Sequence, residues 1–102
     1  MAKYRLSNQA KEDLIRIHHY GVKKFGMSQA DKYFDSFFEH FEIISQQPFS
    51  FKTVDHIRKD YRRCVCGVDS IYFKINGKVI DIIAIVGRQD LTALFQVMGG
   101  GR

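Results

Sequence analysis

The apolar positions change period once, near the middle of the chain, from the three-and-four spacing of helices to the alternation of strands. Ahead of the helical half, Lys3-Tyr4-Arg5-Leu6 alternates briefly and predicts an edge strand. Ser7 stands where an N-cap belongs. From Asn8 to Phe25 the stripe is Ala10, Leu14, Ile17, Gly21 and Phe25, which predicts an amphipathic helix. Glu12 and Arg16 are spaced to pair along it. Gly21 on the inward stripe implies close approach of another element, and Gly26 follows as a C′ residue. Ser28 is expected to cap the next helix, with Met27 as its staple. That helix carries Ala30, Phe34, Phe37, Phe41 and Ile44, with Tyr33 and Phe38 at the margins. So short a connection makes the helices antiparallel neighbours. Pro48 ends the second one, because proline disfavours helical geometry in the residue before it. Phe49 to Lys59 is a crossing segment without clear period.

Strands follow. Tyr61–Cys66 is one, Gly67-Val68-Asp69 a turn, and Ser70–Ile75 a second, rich in β-branched and aromatic residues. Asn76-Gly77 is a strong hairpin signal, leading into Lys78–Val86. A two-residue turn there sets Ile75 opposite Lys78, Phe73 opposite Ile80 and Ile71 opposite Ile82. Ile71, Phe73, Ile75, Ile80 and Ile82 should then cover the helices. Tyr72, Lys74, Val79, Asp81, Ile83 and Ile85 would form the other face, half apolar and open to a partner. A bulge would shift this register. Leu91, Leu94, Phe95 and Met98 return to helical spacing before Gly99-Gly100-Gly101-Arg102, a tail expected to be flexible. The fold class is α+β: a two-helix antiparallel hairpin on a small, mainly antiparallel sheet, forming a single domain over 1–98 with 99–102 as the tail.

Composition sharpens this picture in two places. With 102 residues, nine Phe and five Tyr, the chain can build one aromatic core without any Trp. The net charge of +5 is unevenly spread: residues 52–102 hold nine Lys/Arg against five Asp, and no Glu. The second half favours an acidic partner, although a charge of this size also serves solubility. Met1 to Leu6 has no apolar h-region and no run is long enough to span a membrane, so a cytoplasmic protein is expected.

Candidate chemistry is sparse. Cys64 and Cys66 would share one strand face, a poor geometry for a disulfide. His18, His19, His40 and His56 show no zinc spacing, so no metal and no cofactor is expected. No nucleophile elbow or phosphate-cradling loop is present, and no catalytic residue is assigned. Arg58, Lys59, Arg62, Arg63, Lys74 and Arg88 lie on or beside the sheet, interleaved with Tyr61, Tyr72 and Phe73. Such a set can bind single strands, but half of those aromatics are needed for the core.

Tyr4-Arg5-Leu6-Ser7 with Ala10, Asp13-Leu14 and Ile17 resembles the start of ParE toxins of the RelE/ParE superfamily. Gln29-Ala30 with Tyr33, and Pro48 closing the second helix, continue the likeness. The most specific stretch runs from Val54-Asp55 through Ile57-Arg58 and Tyr61-Arg62-Arg63-Cys64-Val65-Cys66-Gly67 to Ser70-Ile71-Tyr72-Phe73. Gly87-Arg88-Gln89-Asp90 resembles the closing motif. The resemblance implies the same fold and a type II toxin–antitoxin module, with growth arrest by the toxin. It also implies neutralisation by a ParD-like antitoxin whose acidic, disordered C-terminal segment folds onto the toxin. ParE members typically poison DNA gyrase, whereas RelE members cut messenger RNA on the ribosome.

RNA cleavage needs proton-transfer groups beside the basic cluster. No Tyr or His follows Tyr72 and no Glu follows Glu42. The expected mode is therefore non-enzymatic gyrase inhibition. An mRNA interferase and a weakly toxic or non-toxic interaction module stay open as alternatives. Arg58, Arg62, Arg63 and Arg88, with Leu91, Leu94 and Phe95, form the expected target-contact set. Ile15, Val22, Tyr72, Lys74, Ile83 and Ile85 form the expected antitoxin-binding set, and direct nucleic-acid binding is not expected.

Overall fold

The computed structural model describes residues 3–87. The expectations for Arg88, Leu91, Leu94, Phe95, Met98 and the glycine tail lie outside the described residues. Element order is β1 (Lys3–Leu6), α1 (Asn8–Phe25), α2 (Met27–Gln46), a 3-10 turn (Pro48–Ser50), β2 (Tyr61–Cys66), β3 (Asp69–Asn76) and β4 (Val79–Gly87). The four strands order as β1-β4-β3-β2. β2–β3 and β3–β4 pair antiparallel, while β1 pairs parallel to β4. The α+β expectation therefore holds, with one parallel edge.

The first helix forms where its stripe and cap place it. Ser7 is extended and its Oγ accepts from the Ala10 amide at 2.9 Å. Lys23 and Lys24 in the last turn complement the helix dipole. Phe25, assigned to the inward stripe, is the last residue of the helix and is instead exposed. The second helix starts earlier than expected. Gly26, at φ 92°, serves as both C-cap of α1 and N-cap of α2, so Ser28 lies inside the helix and Met27 is exposed rather than stapled.

Contacts of Gly21 with Ala30, and of His18 with Asp31 and Phe34, run in opposite senses along the two helices, which makes them antiparallel. A Cβ on Gly21 would sit 3.2 Å from the Cβ of Ala30. Gly21→Leu is therefore expected to push the helices apart at a cost of about 2 kcal/mol or more, measured by urea unfolding. Gly21→Ala is expected to stay within about 1 kcal/mol, since helix propensity offsets the tight contact.

The core lies between the hairpin and one face of the sheet. Phe37, Phe41, Ile44, Ile71, Phe73, Ile82 and Ile85 are fully buried there, with Leu14, Cys64, Cys66 and Ile80 beside them. The β3–β4 register differs from expectation. Gly77-Lys78 forms the turn, so Asn76 pairs with Val79, Ile75 with Ile80 and Phe73 with Ile82. Only the first turn residue has positive φ (63°), the type II′ pattern that suits the twist of a hairpin. Moving the pairing by two residues preserves the side-chain faces.

A bulge between Tyr72 and Phe73 then sets Ile71 against Ile85. The extra residue is Ile83, and beyond it the faces of β4 exchange. Ile85 thus enters the core instead of the open face. Tyr72 stays on the outer face but is only 4% exposed. It packs with Val54, Ala84 and Val86 under Ile57 and Tyr61, so the crossing segment roofs a second, smaller core.

That crossing segment is ordered by β2. Thr53 bridges Arg62, the Arg63 amide donates to the Lys52 carbonyl at 3.3 Å, and the Val54 amide donates to the Tyr61 carbonyl at 2.7 Å. Asp60 takes a positive φ of 68°, held by its amide donating to Asp55 Oδ1 at 2.8 Å.

β1 covers β4 only from Val79 to Ile82. Past that point α1 takes over the edge. The Ser7 amide donates to the Ile82 carbonyl at 3.0 Å, and Ser7 Oγ donates to the Ile83 carbonyl at 2.6 Å. Asp13 Oδ2 accepts from the Ile85 amide at 3.0 Å, while Arg16 donates to the Ile85 carbonyl at 3.3 Å. Buried backbone donors and acceptors need partners, and side chains supply them here in place of a strand. Arg16 consequently pairs with Asp13 rather than Glu12.

Candidate functional site

Three surfaces hold the described candidate residues. The first is the outer side of the hairpin. Ile15 is 55% exposed and Val22 half-buried, both off the core stripe as expected. Ile15, His18, His19, Asp31 and Phe34 line one depression between the helices. His18 Nε2 lies 2.8 Å from Asp31 Oδ1, and its ring meets Phe34 edge-on at 5.4 Å. A polar pin over an apolar floor is the result.

The second is the outer face of the sheet. Lys74 is exposed and Ile83 half-buried, so both remain available there. Tyr72 and Ile85 do not: the roof covers Tyr72 and the bulge turns Ile85 inward. At the sheet margin Arg5 pairs with Asp81, which also accepts from Asn76 at 3.2 Å. The hydrogen bond from Arg5, aided by Asn76, holds the Asp81 carboxyl below its usual value.

The third is the start of β2 with its preceding loop. Arg58 and Arg63 are exposed, and Arg62 is half-buried. Arg62 Nη1 donates to the Phe51 carbonyl at 2.6 Å, and its guanidinium lies over the Phe49 ring at 5.1 Å from the centroid. Its fork therefore ties down the crossing segment. Phe49 itself is 74% exposed. Composition gives little sign of this, because Phe49 falls in a stretch without period; the signal was an apolar residue directly after a helix-ending proline. Arg58, Arg62 and Arg63 lie on one loop and strand, linked by the Tyr61 amide donating to the Arg58 carbonyl at 3.2 Å. Arg62 stands opposite Phe73 on the core side and Arg63 opposite Tyr72 on the outer side, so the two side chains leave β2 on opposite faces.

Behind β2, Cys64 and Cys66 share the inward face as expected and are free thiols. Burial first, and the neighbouring Cys66 second, push the Cys64 thiol up to about 11. Burial also raises Cys66, against a lowering contact from Ser36. Neither is a thiolate nucleophile at neutral pH. Both thiols are expected to resist iodoacetamide at pH 8 in the folded protein and to react once it is unfolded. Fast labelling of the folded chain, read by mass spectrometry, would contradict their burial. A folded-state thiol pKa raised above 9 means the folded state keeps its proton where the unfolded one loses it. Stability is thus complete below pH 9 and falls as pH rises toward 11.

Tyr33 fixes the β2–β3 turn to α2. Its hydroxyl oxygen lies 2.7 Å from Asp69 Oδ2 and 2.9 Å from the Cys66 carbonyl. Burial, then the hydrogen bond to Asp69, raises its phenol well above the ordinary range. Among the described residues, no group of three or more His, Cys, Asp or Glu side chains could hold a metal ion. No described helix is long and apolar enough to cross a membrane.

Sequence and structure comparisons converge. Residues 4–91 match the family model described as the ParE toxin of the type II toxin–antitoxin system parDE. The chain is 31% identical over 86 residues to Toxin ParE1 of Caulobacter vibrioides, covering 84% of this chain and 88% of that protein. It shares its fold with a chain of the chromosomal ParDE system from P. aeruginosa, at TM-score 0.76 and 21% identity, covering 85% and 96% of the two chains. A chain of the toxin–antitoxin complex RelBE2 from Mycobacterium tuberculosis matches at TM-score 0.64 and 14% identity, over 85% and 98%. The last two likenesses speak for the fold; the family match and the Caulobacter relative speak for descent. The chain belongs to the ParE toxin family of type II toxin–antitoxin systems, within the RelE/ParE superfamily.

Proposed function

We propose that this toxin arrests growth by binding DNA gyrase, without catalysing a reaction, and that a ParD-like antitoxin neutralises it. Family membership over residues 4–91 carries this reading, since gyrase poisoning is typical of ParE toxins. The basic residues around β2 support a binding mode. Arg62 is spent on the Phe51 carbonyl, and the buried thiols are held protonated. Arg58 and Arg63 contribute the described part of the target contact while Arg62 holds the crossing segment beside them, with Arg88, Leu91, Leu94 and Phe95 as its continuation in sequence.

The antitoxin's acidic C-terminal segment folds onto the hairpin at Ile15 and Val22 and onto the sheet at Lys74 and Ile83. Tyr72 and Ile85 act behind that surface as packing, not as contacts. Ordering such a segment costs entropy that buried apolar area must offset. Folded, purified toxin is expected to abolish supercoiling by purified gyrase and to trap cleaved DNA complexes. Cleavage of ribosome-bound message instead, with gyrase unaffected, would replace this reading by the mRNA-interferase one. No effect on either, with harmless induced expression, would leave an interaction module.

A further inference from the structure

We infer that the outer face of the sheet binds the phosphate backbone of duplex DNA through one contiguous stripe of Lys52, Arg63, Lys74, Arg5 and Lys3. This goes beyond the gyrase reading and stands without it, because it is tested on DNA alone. Strand register places the stripe. Lys74 and Arg5 both pair with Asp81, so all three share the outer side. Lys3 lies two residues from Arg5 on β1 and faces the same way. Arg63 pairs with Tyr72, two residues from Lys74, which makes Arg63 and Lys74 diagonal neighbours about 7–8 Å apart. Thr53 bridges Arg62 and the Arg63 amide donates to the Lys52 carbonyl, so Lys52 stands beside Arg63 on the same side. All five cations are exposed. Among the described residues Asp81 is the one carboxylate along the stripe, and Arg5 and Asn76 already bond it. Asp55 and Asp60, on the crossing segment, are outnumbered there by Lys52, Arg58 and Lys59.

The charge of the whole chain is concentrated on this side. Residues 8–46, which form both helices, hold five Lys/Arg against six Asp/Glu. The net positive charge therefore belongs to the rest of the chain, and it turns the sheet toward a polyanion before contact. Direct nucleic-acid binding was not expected from sequence, where the basic residues could not be told apart by face. Among polyanions a duplex fits best. The apolar area of this face, at Tyr72, Ala84 and Val86, is already roofed, leaving half-buried Ile83 and, at the far end of β2, Val65. An acidic peptide that folds on docking needs apolar area to offset its ordering, whereas phosphates bind by counterion release and need none. Single strands stack their bases on exposed rings, but Tyr61 is half-buried and Tyr72 buried. Lys74 is shared with the proposed antitoxin surface, whose apolar part lies on the hairpin, so antitoxin and duplex compete for it.

The test titrates a labelled duplex of random sequence with the full chain, followed by fluorescence anisotropy from about 50 to about 200 mM salt. Wild type is expected to bind in the micromolar range at low salt, with a log–log salt slope of about −4. Arg63→Gln/Lys74→Gln should bind roughly tenfold more weakly and flatten the slope by about two. Lys3→Gln/Lys52→Gln, at the two ends of the stripe, should do the same, so a folding defect in one pair leaves the other to decide. Lys23→Gln/Lys32→Gln removes equal charge from the helices and should stay within about twofold of wild type. Thermal melts confirm that each chain is folded. An equal loss in the helical pair would assign binding to net charge and overturn the inference, as would a wild type that leaves the duplex free at low salt. Tighter binding of oligo-dT of equal length would reassign the stripe to single strands, and tighter binding of poly-glutamate to an acidic protein; either overturns it. None of these outcomes bears on gyrase, which the supercoiling assay reads separately.

Discussion

Gly67→Ala is expected to lower stability by about 2–4 kcal/mol, a large share of the margin of a small domain. Two costs coincide at this residue. Its φ of 61° lies in the left-handed region that an alanine enters at a cost of about 1–2 kcal/mol. A Cβ there would also sit 2.6 Å from Tyr33 Cε1 and 2.7 Å from the Tyr33 hydroxyl oxygen. Tyr33 cannot easily retreat, because the same hydroxyl holds Asp69 and the Cys66 carbonyl. Gly77 supplies the control. Its φ is 63°, in an equivalent turn, but a Cβ there would meet nothing within 4 Å. Gly77→Ala should therefore cost only the backbone part. Urea denaturation of the two variants separates the effects, and equal losses would show that the Tyr33 contact carries no weight.

The second large effect is expected at Asp13. This carboxylate is 5% exposed and accepts from the Ile85 amide, Gln9 at 2.9 Å and Arg16 at 3.4 Å. Asp13→Ala would leave the Ile85 amide without its acceptor and free Arg16 from its partner. The expected loss is about 2–3 kcal/mol, or a fall in melting temperature of order 10 °C for a chain of this size. Asp13→Asn should lose less, since an amide oxygen can still accept from Ile85 while the charge assistance is gone. A loss below about 0.5 kcal/mol for the alanine variant would mean that water reaches the β4 edge.

Asp13 also shows what could be read from the chain and what could not. It lies between Ala10 and Ile17 on the buried side of α1, but a carboxylate does not register in an apolar stripe, and its partner 72 residues away leaves no local signal. The boundaries of α1 and the faces of Ile71, Phe73, Ile80 and Ile82 followed from periodicity, because side-chain period survives a register shift of two. The bulge at Tyr72/Phe73 did not, since nothing local marks Ile83 as the extra residue. That single insertion exchanged the fates of Ile85 and the outer face. The cap of α2 was misplaced because Gly26 satisfies two helices at once, a solution chosen by backbone conformation rather than by a side chain. For the candidate surfaces, the exposure of Ile15, Lys74 and Arg63 and the place of Val22 off the core stripe were legible. The place of Phe49 was not, because the Arg62 guanidinium that lies over its ring comes from β2, beyond the crossing segment.

The parallel pairing of β1 with β4 has a consequence for synthesis. Among the described strands β1 is made first, but its hydrogen-bonding neighbour is made last, at Val79–Ile82. β3 lies on the far side of that same neighbour. A nascent or prematurely terminated chain that stops before Val79 holds both helices and the β2–β3 hairpin, yet has no middle to its sheet. Such a chain lacks the strand that covers the sheet-facing side of α1, and Asp13 has no Ile85 amide to accept from. The sheet-borne surface is thus assembled in one late, long-range step. Fragments of this toxin are expected to be clients for chaperones and proteases rather than partly active inhibitors.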